Sequence, residues 1–405
     1  MTALASRSAA EFSLDFLNLF VANIQTGFGP FVAVYLTTRG WTQTSIGVAL
    51  SIGTIFAMIS QVPAGALVDA ARRKSTVAAL SLLAFTASAL LFAIRPLPLT
   101  VYIAEALHGF SSCTLGPAVA ALSLALVGTV RFGPRLGRNA RFSSIGNAMG
   151  AALMGACGYY FSSRAVFLLA AALTFPAIAS VWPLRALDAR RLGGHRKSAG
   201  PWRGVSGASM LLRDRRLLIF STFAMAFTFA NAALLPLASV SITAQAPARA
   251  NLLIAAFIVL PQLVVAAISP SVGRVAQSRG RRLLLIVGLA AVGARGALFA
   301  IVADPNQLIP IQLLDGIAGA CFGILVPLVV SDLAAHTGHF NFALGVVGFA
   351  VGIGATLSTS VAGFIADQFG EPRAVAMLGA AGCAAMLLAV RFMPETRPSL
   401  ESEVT

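Results

Sequence analysis

The chain has 405 residues, of which 58% are hydrophobic and 11% are charged, and its mean hydropathy is +0.85. Because a soluble domain carries about 25% charged residues, this composition excludes a soluble globular protein and predicts an all-α polytopic membrane protein. The formal charge of +15 would favour nucleic-acid binding in a soluble chain, but its distribution along this sequence has a different explanation.

Twelve apolar stretches are long enough to cross a bilayer, which requires about 20 residues for each helix. The first of them is long enough to remain as a helix and is not predicted to be a cleaved signal peptide. In chain order, the predicted spans are 13–36, 45–67, 76–94, 99–128, 142–162, 165–184, 217–242, 251–272, 283–302, 307–330, 342–365 and 374–393.

The connections between these spans are short, except for a polar, Arg-rich segment at 185–216. This segment separates two sets of six spans. We therefore predict an N-terminal six-helix bundle at 1–184, a cytoplasmic central linker at 185–216, and a C-terminal six-helix bundle with a short cytoplasmic tail at 217–405.

Basic residues are distributed unequally between the two sides of the predicted membrane. If the amino terminus is cytoplasmic, 23 of the 29 Lys and Arg residues lie in cytoplasmic segments and five in the opposite loops, while Arg295 lies within the ninth span. Since cytoplasmic loops are enriched in Lys and Arg, we predict a multi-pass protein of the cell inner (plasma) membrane with both termini in the cytoplasm. The same bias accounts for the net charge, so no nucleic-acid partner is predicted.

A basic decapeptide between the second and third spans recurs in degraded form in the second half of the chain. Gly65 to Lys74 reads Gly-Ala-Leu-Val-Asp-Ala-Ala-Arg-Arg-Lys, and Gly273 to Arg282 reads Gly-Arg-Val-Ala-Gln-Ser-Arg-Gly-Arg-Arg. Two six-span halves repeated in the same orientation indicate an internal duplication. Other pairs recur at nearly the same offset: Gln25 with Asn231, Pro30 with Pro236, Glu105 with Gln312, His108 with Asp315, and Arg164 with Arg373.

Both decapeptides resemble the loop between the second and third helices of the major facilitator superfamily, whose pattern is Gly-x-Leu-Ala-Asp-Arg-x-Gly-Arg-Lys/Arg. The second copy has Gln277 in place of the acid. The resemblance implies a twelve-helix secondary transporter in which two six-helix bundles rock around a central site by alternating access. The matching residues are Gly65, Leu67, Asp69, Arg73 and Lys74 in the first copy, and Gly273, Gly280, Arg281 and Arg282 in the second.

Asp69 is a lone acid among bases, which favours a role as a cytoplasmic gate. While the cavity faces outward, it could pair both with an arginine of a neighbouring loop, for example Arg131 or Arg135, and with the positive end of the eleventh span. A basic loop that only sets orientation would explain Arg73 and Lys74 but not the acid. The candidate gate residues are Gly65, Asp69, Arg73, Lys74, Gly273, Gly280, Arg281 and Arg282.

Polar side chains within a span must face a cavity or one another, since hydrocarbon offers them no partner. The resemblance places the fourth and tenth spans on the central cavity. There, Glu105 or Asp315 could take a proton on one side of the membrane and release it on the other, with His108 as a relay. In the alternative interpretation, these residues form hydrogen bonds between helices or are solvated near the periplasmic surface.

Five amides are candidates for contact with a substrate in the cavity. Those in the first and seventh spans lie near mid-membrane at equivalent positions of the two halves, where a substrate at the repeat interface would meet them. The alternative is that they join helices, at typically about 1–2 kcal/mol or less each. The candidates are Asn23, Gln25, Asn231, Gln262 and Gln312.

Catalytic and metal-binding patterns are missing from the sequence. The four cysteines all lie in apolar stretches, and there is no P-loop, HExxH or GxSxG motif. We therefore predict no enzyme activity, no metal site, no cofactor, and no direct drive by ATP.

The substrate prediction depends on Glu105, which stands where many proton-coupled members of the family carry Arg. An acid in the cavity favours a cationic or neutral substrate, although Arg295 could compensate its charge. With 27 Phe residues and a partial antiporter-like glycine motif in the fifth span, we predict a monomer that exports apolar or cationic small molecules in exchange for protons. The alternatives are a proton symporter for a small nutrient or metabolite, and a transport-inactive membrane sensor or scaffold.

Overall fold

The computed structural model describes residues 2–28, 30–94, 96–185, 213–245, 250–302, 304–335 and 337–396, and these form α-helices without strands. Of the predicted linker, only residue 185 and residues 213–216 are among them. The helices are α1 (Thr2–Thr26), α2 (Pro30–Thr38), α3 (Gln43–Ala70), α4 (Lys74–Ile94), α5 (Pro98–Val127), α6 (Phe132–Tyr160), α7 (Ser163–Val181), α8 (Arg215–Asn231), α9 (Leu234–Gln245), α10 (Ala250–Arg279), α11 (Arg282–Ile301), α12 (Pro305–Ala334), α13 (Phe340–Phe369) and α14 (Glu371–Phe392).

The predicted all-α polytopic fold is confirmed. Within the described ranges, eleven helical segments are long and apolar enough to cross a membrane, and they coincide with every predicted span except the fifth. The fifth span lies in α6, which is a continuous helix of 29 residues. It is long enough to cross, but it is less apolar because glycine, serine and asparagine occupy positions that Leu or Val fill in the other spans.

Two spans are interrupted at corresponding places in the repeat. In the first span α1 ends at Thr26 and α2 begins at Pro30, and in the seventh α8 ends at Asn231 and α9 begins at Leu234. Proline suits the start of α2, since it has no N–H group to leave unpaired there. A backbone group freed inside a membrane needs a new partner, and the Ala233 N–H donates to Oγ of Ser358 at 3.1 Å.

The chain divides into two compact units. The first contains Met1–Phe132, Phe142–Ala208 and Gly338–Gly345, and the second contains Gly133–Arg141, Ser209–Thr337 and Val346–Thr405, as far as these ranges are described. Each unit therefore holds most of one predicted bundle together with a short helix start from the other half of the sequence. Aromatic and aliphatic side chains fill both cores, including Phe85, Phe92 and Phe167 in the first unit and Phe257, Phe299 and Leu378 in the second.

Large apolar side chains also cover much of the outer surface, such as Ile59, Leu80 and Phe175. Apolar patches of this extent are rare on soluble proteins. The surface therefore suits contact with the acyl chains of a bilayer.

Candidate functional site

The first unit contains a buried acid beside a histidine on α5. Glu105 and His108 are one helical turn apart, with 3.9 Å between Oε2 of Glu105 and Nδ1 of His108. This distance is too long for a hydrogen bond. The Glu105 side chain is 4% exposed and that of His108 is 22% exposed, so the histidine is the more solvent-accessible member of the pair. Oε1 of Glu105 is buried without a hydrogen-bond partner among the described residues.

The Glu105 carboxyl lies in the contact between α5 and α3. A Cβ atom added to Gly53 on α3 would overlap Oε2 of Glu105. Gly109 of α5 packs against the backbone of Gly53 and Ala57. Two glycines thus allow the helices to approach closely, and the acid occupies space beside their crossing.

An aromatic cluster surrounds His108. Its ring stacks on Phe28 with centroids 4.2 Å apart and an interplanar angle of 11°, and it meets the edge of Phe85 at 5.2 Å. Phe28 lies in the break between α1 and α2. A conformational change in the broken first span therefore acts, through Phe28, on the ring of His108, which stands next to Glu105.

The second unit contains a guanidinium cluster at residues that match Gln25 and His108 in the sequence repeat. Nη1 of Arg295 on α11 donates to Oδ1 of Asp315 at 2.7 Å and to Oδ1 of Asn231 at 2.8 Å. Arg295 is 1% exposed, whereas the side chain of Asp315 is 26% exposed. Nε and Nη2 of Arg295 are buried without a partner among the described residues. Asn231 is the last residue of α8, so this cluster also stands at a helix break.

The other amides named from the sequence differ in their burial and contacts. Gln312 is wholly buried and its Nε2 donates to the Phe257 carbonyl at 3.3 Å, which connects α12 to α10. Asn23 is buried with Oδ1 unpartnered among the described residues. Gln25 and Gln262 are half-buried. The contact of Gln312 fits the interhelical interpretation of these residues.

Asp69 caps the start of α13. Its Oδ1 accepts from the backbone N–H of Asn341 at 3.1 Å and from Nδ2 of Asn341 at 2.7 Å, and its Oδ2 accepts from the N–H of Phe342 at 2.7 Å. Beside this cap the helices touch through glycines, because a Cβ at Gly65 would overlap the Asn341 carbonyl and one at Gly345 would overlap that of Gln61. The acid therefore meets the positive end of the eleventh span, one of its two predicted partners.

The neighbouring bases have different surroundings from Asp69. Lys74 is buried, and its Nζ donates to the carbonyls of Val68, Asp69 and Ala71, which closes the end of α3. Arg73 is exposed and makes no side-chain contact within the described part of the chain. Lys74 thus terminates a helix.

The second unit repeats the crossing of α3 and α13 without the cap. A Cβ at Gly273 of α10 would overlap the Gly133 carbonyl of α6, and one at Gly137 would overlap the Ser269 carbonyl. These positions match Gly65 and Gly345 at one constant sequence offset.

At the same offset, Gln277 replaces Asp69 and Pro134 replaces Phe342. Oε1 of Gln277 is buried without a partner among the described residues, and a proline has no N–H to donate. The second crossing therefore keeps the backbone shape of the first but lacks the acid and one of the two backbone N–H groups that donate to it.

The second copy of the loop is tied down by two acids. Arg281, 1% exposed, pairs with Asp332 of α12 through Nε at 2.8 Å and Nη2 at 3.3 Å. Glu395 accepts from the backbone N–H groups of Arg281 at 2.8 Å and Arg282 at 3.2 Å, which caps α11. Gly280 has φ of +99°, and a Cβ there would overlap the Glu395 carboxyl.

Comparison with known proteins identifies the family. The model of the Major Facilitator Superfamily matches residues 14–304 and 234–404. The chain belongs to the major facilitator superfamily. Two uncharacterized MFS-type transporters of Mycobacterium tuberculosis, from strains CDC 1551 / Oshkosh and H37Rv, are each 36% identical over 388 residues, which cover 95% of this chain and 93% of the relative.

Solved structures of major facilitator proteins share the fold over nearly the whole chain. The proton:xylose symporter XylE bound to 6-bromo-6-deoxy-D-glucose has a TM-score of 0.73 at 14% identity, covering 97% of both chains. The human organic anion transporter MFSD10 has 0.70 at 16%, covering 95% of this chain and 99% of its own. FucP in the outward conformation has 0.69 at 17%, covering 95% and 98%. At these identities the likeness shows the fold alone.

As a major facilitator, the chain is a multi-pass secondary transporter of small molecules and not an enzyme. Sequence reasoning named Glu105, His108, Asp315 and Asn231, and the structure groups them as two separate clusters. It gave no role to Asp332 or Glu395. Asp332 and Glu395 each lie just after the end of a predicted span, in segments that are not rich in Lys or Arg, so the signal that singled out Asp69 does not find them.

Proposed function

We propose that this transporter couples substrate movement to protons and that Glu105 is the acid that carries the proton. The observation that carries this proposal is that Oε1 of a carboxyl only 4% exposed has no hydrogen-bond partner in the part of the chain that the structure describes. A buried charge without a partner is costly, whereas a carboxylic acid is neutral. When Glu105 takes up a proton, the contact between α3 and α5 therefore loses its buried charge. Release of the proton requires Glu105 to reach a base or water.

His108 is the proposed relay between Glu105 and solvent. It is the more exposed member of the pair, and its Nδ1 is the basic group 3.9 Å from the acid. Its stack on Phe28 supports a connection to the broken first span. Movement of that span during transport would shift the histidine towards or away from Glu105.

The proposed substrates are apolar or cationic small molecules, exported in exchange for protons. The support comes from the first unit, where the aromatic rings of Phe28 and Phe85 stand beside a carboxyl. Aromatic faces and acids both attract organic cations. The proposed transport mechanism is alternating access. In one of its states, the Asp69 cap holds the end of α3 against the start of α13.

The second candidate function is proton-coupled uptake of a small nutrient or metabolite, and the Arg295 cluster favours it. The charge of Asp315 is balanced by Arg295, so this part of the protein offers no net charge to a cation. A partly exposed carboxylate with an adjacent amide instead suits the hydroxyl or N–H groups of a neutral polar substrate.

Proton movement in proteoliposomes that contain a pH-sensitive dye tests these proposals. Wild type, Glu105→Gln and Asp315→Asn are challenged with lipophilic cations such as tetraphenylphosphonium and with neutral sugars and nucleosides. We expect a lipophilic cation to drive proton flux that Glu105→Gln abolishes while binding survives. The sign of the flux separates antiport from symport.

Equal flux in wild type and Glu105→Gln would show that the acid is structural. Flux driven only by the neutral compounds would favour the uptake function. If no compound from a wide panel is transported, the protein is better explained as a sensor or scaffold.

A further inference from the structure

Gly53 on α3 faces Glu105 on α5 at the point where the two helices touch. A Cβ at Gly53 would overlap Oε2 of Glu105 and would lie 3.3 Å from its Cδ and 3.5 Å from its Cβ. The carboxyl therefore fills the space in which a side chain of residue 53 would stand. We propose that Gly53 is a positioning residue whose missing side chain makes a slot that holds the Glu105 carboxyl out of hydrogen-bonding reach of His108.

The helices cannot easily widen this slot, because backbone meets backbone beside it. A Cβ at Gly109 would lie 2.5 Å from the Gly53 carbonyl oxygen and 2.9 Å from the Ala57 nitrogen. One turn further along α5, Sγ of Cys113 donates to the Ala57 carbonyl at 2.9 Å. If a methyl group is added at residue 53, the flexible end of Glu105 has to move, since the helix backbones are already in contact.

The slot separates the acid from its nearest base. Oε2 is 3.9 Å from Nδ1 of His108, whereas proton transfer needs a hydrogen bond of about 2.6–3.2 Å. Direct proton exchange with His108 therefore requires the carboxyl to leave the slot. This inference rests on the proposed function of Glu105, and it divides that function into a storage position and an exchange position.

The second half of the chain lacks the slot. At the corresponding positions Gln312 replaces Glu105, Pro261 replaces Gly53, and Gly316 keeps the place of Gly109. A Cβ at Gly316 would lie 2.9 Å from the Pro261 carbonyl oxygen, so the close helix contact remains. The glycine that makes the slot is present where the acid is present and absent where an amide replaces it.

Infrared difference spectroscopy of the full-length transporter in liposomes tests the slot without a substrate. Spectra between about pH 4 and about pH 8 contain the carbonyl stretch of carboxyl groups that gain a proton, and the band that Glu105→Gln removes belongs to Glu105. In Gly53→Ala the displaced carboxyl reaches His108 and gains a hydrogen bond, so we expect this band to move to lower wavenumber. The matched control is Gly47→Ala on the same helix, where a Cβ meets nothing within 4 Å and the band should not move.

His108→Phe keeps an aromatic ring against Phe28 but removes the donor, so it should abolish the shift when combined with Gly53→Ala. A shift that persists in this double variant contradicts the role of His108. An unmoved band in Gly53→Ala overturns the inference and leaves Glu105 as the proton site, whereas the absence of any band removed by Glu105→Gln contradicts the proposed function itself.

If Gly53→Ala does not fold, the double variant Gly53→Ala/Glu105→Ala decides the question. Removal of the carboxyl should restore folding if the overlap with Glu105 is the cause. A double variant that also fails to fold overturns the slot.

Discussion

Glu105 and Asp315, which both lie within predicted spans, have opposite surroundings. Oε1 of Glu105 has no hydrogen-bond donor among the described residues, whereas Asp315 accepts a bond from a guanidinium that is 1% exposed. A proton on Asp315 would leave Arg295 buried with only Asn231 as a described partner, and an unpaired buried charge is expensive. At the scale of single residues we therefore infer that Glu105 is the better proton carrier and that Asp315 is held as an ion.

Substitution of Arg295 by Gln should destabilise the protein, because Asp315 loses its cation and Asn231 loses its donor. We expect a loss of about 1.5–3 kcal/mol, the usual contribution of hydrogen bonds to charged groups, measured as a lower unfolding temperature in detergent. Adding Asp315→Asn should recover part of the loss, since both charges are then absent. Strictly additive effects would show that the pair is not coupled, and Arg279→Gln, an exposed site on α10, serves as the control.

At the scale of helices, the two crossings differ in chemistry rather than in backbone shape. Both use glycines to bring a helix end against a helix start, but only the crossing of α3 with α13 has an acid at the positive end of the second helix. An anion in that position stabilises a helix start by about 0.3–1 kcal/mol when exposed and by up to about 2 kcal/mol when partly buried. We therefore infer that the crossing of α10 with α6 is the weaker of the two.

Asp69→Asn should loosen the first turn of α13, because an amide has no charge to place at the helix start. We expect the backbone amides of Asn341 and Phe342 to exchange hydrogen about 5–30-fold faster, which corresponds to a loss of about 1–2 kcal/mol. Hydrogen exchange followed by mass spectrometry measures this rate. Arg73→Gln, which alters an exposed side chain in the same loop, should leave the rate unchanged, and equal acceleration by both variants would contradict the cap.

At the scale of the whole molecule, the arrangement in the membrane follows from the unequal distribution of Lys and Arg. Cytoplasmic enrichment of these residues orients membrane helices during insertion. The six-plus-six arrangement and the predicted domain division at 185–216 then require the amino and carboxyl termini to lie on the same side. We propose that this side is the cytoplasm.

Fusions at the carboxyl terminus test this orientation. Green fluorescent protein fluoresces only when it folds on the cytoplasmic side of a bacterial inner membrane, and alkaline phosphatase is active only on the opposite side. We expect a fluorescent carboxyl-terminal fusion and an inactive phosphatase fusion at the same place. A phosphatase inserted after Ser162, in the predicted external loop between the fifth and sixth spans, should be active, and the reverse pattern would invert the proposed topology.

Much of the fold was predictable because hydrophobicity is a local property. Eleven predicted spans needed only runs of apolar residues, and the doubled decapeptide indicated the repeat. The contacts within the sites could not be predicted from the sequence. Arg281 and Glu395 are distant in the chain and meet only in the folded protein, and the proposed role of Gly53 depends on the absence of a side chain at that position. Proline gave a partial signal for the breaks, because Pro30 and Pro236 both lie at or near the helix start that follows a break.

The cap on α11 has a consequence for the order in which the protein matures. Glu395 accepts a hydrogen bond from the Arg281 N–H across 114 positions of the chain. On the ribosome, the start of α11 must therefore wait until the chain has grown as far as Glu395 before it receives this partner. A product of early termination before Glu395 therefore carries a recognisable defect, namely an uncapped helix start, which gives cellular quality control a means to distinguish incomplete chains from finished ones.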